Sequence, residues 1–178
     1  SINYKNKKPV CITTYESKYV FQEHGLDLSL DLIYVYQHNT LTNLFSKKID
    51  LSKNIPSSQN VVHAAILAAI FMGIKEIYLI GCDMTSLYVD YEANEEGKQE
   101  IKKNFHIYKY SKNEIKEMLK EFENIDNETI LYDYAKTFTL FRYIKQYSLR
   151  NNIKIFNATK GGGLDVFERI DFDSLFID

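Results

Sequence analysis

Apolar and polar positions group along the chain into short runs with two different periods. Pro9 to Thr14 (Pro-Val-Cys-Ile-Thr-Thr) is β-branched and half apolar, which predicts a strand. Asp31 to Tyr36 (Asp-Leu-Ile-Tyr-Val-Tyr) predicts a second, stronger one. Residues 38–59 are polar and irregular and close on Pro56-Ser57-Ser58-Gln59. Asn60 to Met72 is alanine-rich, apolar nearly all round and followed by Gly73, a pattern that predicts a helix buried on more than one side. Glu76 to Ile80 is a short apolar run without alternation and fits a strand covered on both faces, as in parallel sheets. Strand 31–36, helix 60–72 and strand 76–80 therefore read as one β-α-β unit. Residues 84–110 are polar and aromatic with no clear period.

The C-terminal half is more regular. Ser111 opens a capping-box pattern with Glu114, and Ile115, Met118, Leu119 and Phe122 form an apolar stripe behind it. A second long helix covers about 128–150 and stops at Asn151-Asn152. Ile153 to Phe156 is a last strand, followed by Asn157-Ala158-Thr159-Lys160-Gly161-Gly162-Gly163. The tail from Leu164 to Asp178 mixes aromatics, aliphatics and acids, and predicts a short helix or an edge segment. The order β-α-β-insert-α-α-β predicts an α/β fold with a mostly parallel sheet and a long insert after the strand that ends at Gly81.

Composition narrows the class. A length of 178 residues with 45% hydrophobic content fits one domain spanning 1–178 with a core of its own. A formal net charge of -2 argues against a nucleic-acid partner, which asks for a basic excess. Only Arg142, Arg150 and Arg169 are arginines; every other base is lysine. Cys11 and Cys82 make neither a disulfide framework nor a zinc cluster, so a reducing compartment is the simplest fit. No apolar stretch is long enough for a transmembrane helix, and the N-terminus carries no apolar signal core. A cytoplasmic location, at most peripheral at the inner membrane, is the expectation.

Ligands of parallel α/β sheets bind beyond the carboxyl ends of the strands. The start of helix 60–72, the Gly81-Cys82-Asp83 turn, the segment 157–163 and the insert 84–110 all belong there by connectivity. Ser57-Ser58-Gln59-Asn60 offers hydroxyls, an amide and backbone N–H groups at a helix N-terminus, suited to a phosphate or equally to N-capping. Asp83 ends a buried strand, where its carboxylate either caps the turn or holds a ribose hydroxyl, a sugar hydroxyl or a metal ion. Asp90 and Glu92 read as solvated charge or as oxygen ligands for magnesium. His106, flanked by Phe105, Ile107, Tyr108 and Tyr110, is a candidate general base or packs among aromatics. His63, inside an apolar helix, reads as a core histidine. Gly161-Gly162-Gly163 permits close approach of a ligand to the backbone or is a flexible turn, and it lacks the dinucleotide spacing.

These residues resemble a known family. Asn60-Val61-Val62 opening an alanine-rich helix, followed by Met72-Gly73-Ile74-Lys75-Glu76-Ile77-Tyr78-Leu79-Ile80-Gly81-Cys82-Asp83, is similar to the core of the MptE-like family (domain of unknown function 115). Ile155-Phe156-Asn157-Ala158-Thr159, Gly161 and Asp165-Val166-Phe167 resemble its closing strand and turn. The same core resembles bacterial sialyltransferases of surface-glycan synthesis, whose catalytic region is similar to His106-Ile107-Tyr108-Lys109-Tyr110-Ser111-Lys112-Asn113. The resemblance covers about Asn60 to Phe167. It implies a Rossmann-like three-layer fold and a nucleotide or nucleotide-sugar ligand, with CMP-activated nonulosonic acids as the donor type and a glycan as acceptor. It implies catalytic roles for His106 and Tyr110, and ligand contacts from Ser58, Asn60, Asp83, Thr85, Tyr88, Tyr108, Asn157, Thr159 and Gly161. Two departures stand out. Tyr110 falls where the sialyltransferases carry a second histidine, and no glycine-containing nucleotide loop precedes Pro9; against the family pattern, the expectation is either a trimmed or divergent member or an incomplete nucleotide site.

Three activities fit this pattern. The first is glycosyl transfer from a CMP-type donor, with no cofactor required. The second is ATP-dependent pyrophosphoryl transfer to a pterin alcohol, an activity known in the family, with magnesium held by Asp83 and Asp90 or Glu92. The third is a non-catalytic Rossmann-like binding module, favoured by the missing opening loop.

Overall fold

The computed structural model describes residues 8–38, 48–53, 55–84, 91–93, 99–101 and 127–176. The chain divides into two compact units, residues 1–74 and 75–178. Each holds a parallel strand pair of its own joined through a helix, so the class is α/β with small parallel sheets. The β-α-β unit expected from strand 31–36 through helix 60–72 to strand 76–80 runs across the division.

In the first unit, β1 (Val10–Thr14) pairs in parallel with β2 (Asp31–Val35), in a register that sets Val10 opposite Asp31 and Thr14 opposite Val35. The crossover is a single turn of 3-10 helix followed by α1 (Lys18–Glu23) and a reversal at Gly25, whose φ of 65° is costly for other residues. Tyr15 stacks on Tyr36, with ring centroids 4.7 Å apart, and meets Tyr34 edge-on. A further parallel pair brackets most of the irregular stretch 38–59: β3 (Gln37–His38) with β4 (Ile55–Pro56). Two-residue strands carry no detectable period, which is why the pattern missed them.

Next comes α2 (Val61–Phe71). Asn60 is its N-cap: the side-chain oxygen accepts from the His63 amide at 3.0 Å, satisfying one of the donors a helix start leaves unpaired. The helix closes as a Schellman turn, with Ile74 N–H donating to Ala69 and Gly73 N–H donating to Ile70, and Gly73 at φ 85°. His63, Ile66, Leu67 and Ile70 are buried at helical spacing, with Ala68 beside them. Val61, Phe71 and Met72 are exposed, a narrower buried face than the all-round apolar pattern predicts.

The second unit is built on a parallel sheet of order β5-β8-β9: Glu76–Leu79, Lys154–Asn157 and Glu168–Arg169. Leu79 lies opposite Asn157, and Asn157 in turn lies opposite Arg169. Between β5 and β8 run the antiparallel hairpin β6 (Tyr91–Ala93) and β7 (Gln99–Ile101), inside the insert, and then α3 (Asn127–Arg150). The hairpin strands are three residues each, too short for the aromatic-rich insert to betray them. Leu140, Phe141, Ile144 and Tyr147 recur at three- and four-residue steps along α3 and are buried. Phe141 meets Phe167 edge-on at 5.7 Å. The helix stops where Asn152 takes φ 54°, which lets Ile153 N–H reach the Ser148 carbonyl. The tail supplies both of the expected forms, strand β9 and a 3-10 turn over Asp173–Phe176. Among the described residues, no helix is long and apolar enough to cross a membrane.

Candidate functional site

The carboxyl ends of β5 and β8 lie side by side because the strands are parallel and in register. Ladder pairing continues one residue past the strands, with Ala158 N–H donating to the Leu79 carbonyl at 2.9 Å. Thr159 then joins the two strand ends with one hydroxyl. Its Oγ1 accepts from the Cys82 amide at 3.0 Å and donates to the Leu79 carbonyl at 3.4 Å. Beyond it, Gly163 N–H donates to the Asp83 carbonyl. Gly161 and Gly162 both have positive φ, 73° and 80°, and a Cβ on Gly162 would fall 2.6 Å from the Asp83 Cα. The glycines are therefore required, one for conformation and the other for conformation and space.

Asn157 supports this turn from beneath. It is fully buried, its amide donates to the Leu164 carbonyl at 2.9 Å, and its side-chain oxygen accepts from the Thr159 amide at 3.0 Å. A buried amide with donor and acceptor both engaged fixes the path of the chain from 157 to 164. Lys145 reaches across from α3 to the Val166 carbonyl at 2.6 Å.

Arg169 closes the arrangement from β9. Its Nη1 donates to the carbonyls of Thr159 (3.2 Å) and Gly161 (2.5 Å), and its Nη2 to those of Gly162 (2.7 Å) and Leu164 (3.3 Å). Four acceptors within one turn suit the rigid, many-donor guanidinium and exceed what an ammonium offers. Pattern reading missed this residue. The available sign was its rarity, one of three arginines in a chain whose other bases are all lysine.

Asp83, Asn157, Thr159 and Gly161 are thus brought together at one edge of the second unit. Asp83 and Gly161 are exposed there, Thr159 is half-buried, and Asn157 lies inside. Cys82 is half-buried beside them; burial, and then the Asp83 carboxylate, push its thiol above the ordinary range. Ser58 and Asn60 belong to the first unit. The Ser58 amide donates to the Gln37 side-chain oxygen at 3.2 Å, and Asn60 caps α2. Thr85, Tyr88, His106, Tyr108 and Tyr110 lie outside the described residues, as do Asp90 and the helix expected from Ser111. Among the described residues, no three His, Cys, Asp or Glu side chains cluster as a metal ion would need. A cleft of about 410 Å³ in the second unit is lined by Lys145, Ser148, Phe156, Phe167 and Glu168 among others, and none of the predicted site residues lines it.

Chemically, the strand-end arrangement offers an exposed carboxylate next to a backbone turn without side chains. A carboxylate accepts hydrogen bonds from hydroxyls, and at Gly161, where a Cβ would meet open space, a ligand can approach the main chain of the turn. No family model, curated protein or solved structure matches this chain.

Proposed function

We propose that the chain is a Rossmann-like, three-layer, nucleotide-sugar-dependent glycosyltransferase of the sialyltransferase-like type, using a CMP-type donor in bacterial surface-glycan synthesis. The observation that carries the reading is the seating of the Gly161–Gly163 turn on Asp83, at the carboxyl ends of paired parallel strands. That is where α/β sheets bind nucleotides. The resemblance of residues 60–83 and 106–113 to the MptE-like family and to bacterial sialyltransferases supports the same assignment.

In this reading the turn receives the donor phosphate and Asp83 orients a hydroxyl of the donor. His106 removes the proton of the acceptor hydroxyl as its oxygen attacks the anomeric carbon. The bond from that carbon to the phosphate oxygen breaks, and CMP departs with the electron pair. Tyr88, Tyr108 and Tyr110 donate O–H groups to the leaving phosphate or stack on rings.

The test is a thermal-shift and calorimetric panel of CMP, UDP, GDP and ATP, each with and without magnesium. CMP raising the melting temperature without magnesium is the expected result. A shift by ATP with magnesium and none by CMP would replace this reading with pyrophosphoryl transfer. Silence from all four nucleotides would leave a non-catalytic module.

A further inference from the structure

We propose that Arg169 is the positioning residue that presents the 159–163 turn to the phosphate of the ligand. The inference rests on the nucleotide-binding reading above and specifies how its phosphate is held.

In a trans peptide the C=O of one residue and the N–H of the next point in opposite directions, and no cis bond occurs among the described residues. Arg169 draws the carbonyls of Thr159, Gly161 and Gly162 toward its guanidinium. The amides of Lys160, Gly162 and Gly163 must then face away from it. The Gly163 amide is taken by the Asp83 carbonyl, while those of Lys160 and Gly162 meet no backbone acceptor among the described residues. With the carbonyls gathered on one side, the other side of the turn is lined by N–H dipoles, the arrangement that holds an anion in backbone nests. The guanidinium behind it adds a positive charge that its four carbonyl partners do not neutralise. Lysine at this position would keep the charge but not the fork that engages Thr159, Gly161, Gly162 and Leu164 together.

Calorimetry of the full chain with CMP and with cytidine, on wild type, R169K and R169Q, tests this. Arg169 is exposed, so neither variant removes core packing. Both variants should weaken CMP about 10-fold or more, the size of lost hydrogen bonds to a charged group, and leave cytidine within about 2-fold. R169K matching wild type would show that charge alone suffices and would overturn the positioning role. Equal weakening of CMP and cytidine would reduce Arg169 to a general structural part. Amide hydrogen exchange on the ligand-free protein provides a readout that needs no nucleotide. Exchange at the Thr159 and Gly163 amides, which are held by the Asn157 side-chain oxygen and the Asp83 carbonyl, should rise in both variants while α3 stays protected, and unchanged exchange would overturn the proposal. Wild type that binds neither CMP nor cytidine yet shows the exchange effect would refute the nucleotide reading and leave the clamp standing.

Discussion

Gly162 lies directly on the backbone of Asp83: a Cβ added to it would sit 2.6 Å from the Asp83 Cα, with the carbonyl carbon at 2.9 Å. Both neighbours are main chain and cannot swing aside. Gly161, one residue earlier, has the same left-handed backbone but open space around its would-be Cβ. The pair therefore separates conformational cost from steric cost. Gly161→Ala should lose about 1–2 kcal/mol, the cost of a left-handed alanine. Gly162→Ala should lose a further ~1–3 kcal/mol from overlap. Urea unfolding of both variants measures the difference, and equal losses would mean that the close approach is not present in solution.

Asn157 and Thr159 carry the polar interior of the same turn. Replacing Asn157 with aspartate removes the donor to the Leu164 carbonyl and buries a carboxyl in its place, an expected loss of roughly 2–4 kcal/mol. Thr159→Val keeps the shape but orphans the Cys82 amide, an expected loss of about 1–2 kcal/mol. Thr159→Ser should recover most of it. A valine variant as stable as wild type would show that the Thr159 hydroxyl does not tie the two strands.

The Cys82 thiol should resist alkylation near neutral pH. Burial is the main cause of its raised pKa, and the Asp83 charge adds to it. In a Cys11→Ser background, the iodoacetamide rate against pH should give an apparent thiol pKa above the ordinary value. Asp83→Asn should lower it only partway, because burial remains. The same shift bears on stability. The folded thiol keeps its proton to higher pH than the unfolded one, so its contribution is complete below the ordinary thiol range and is lost as pH climbs through the folded value. A Cys82 that reacts as fast as an unstructured thiol would contradict the packing around it.

If His106 is the base of glycosyl transfer, His106→Ala should abolish turnover while CMP still binds with near wild-type affinity. General-base removal typically costs 10²–10⁴-fold in rate. Turnover that survives unchanged would place His106 outside the chemistry and direct attention to Tyr110.

The legible part of the fold was local. The patterns at 31–36, 60–72 and 128–150 mark the strand and the two helices within one or two residues of their observed limits, because caps, glycine stops and helical spacing act over a few positions. Asn60 was legible both as a helix cap and as a ligand candidate, and the structure shows the cap. The strands of two and three residues were not legible, since pairing across distance defines them and no period can register in so few residues.

By themselves, the residues determined the helices at 61–71 and 127–150 and that two strand ends would carry a glycine turn and Asp83, whereas the short helix Lys18–Glu23 gave no pattern to read. Tertiary structure alone decided that Asn157 and Thr159 direct their polar atoms to the turn and to β5, and that Arg169 gathers four carbonyls of that turn. The physical reason is the source of each partner. The Leu79 carbonyl lies 80 residues from the Thr159 hydroxyl it accepts from, and Arg169 reaches the turn only because β9 adds to the sheet beside β8. Spacing along the chain encodes local geometry, whereas a hydrogen bond between remote segments exists only once the sheet has brought them together.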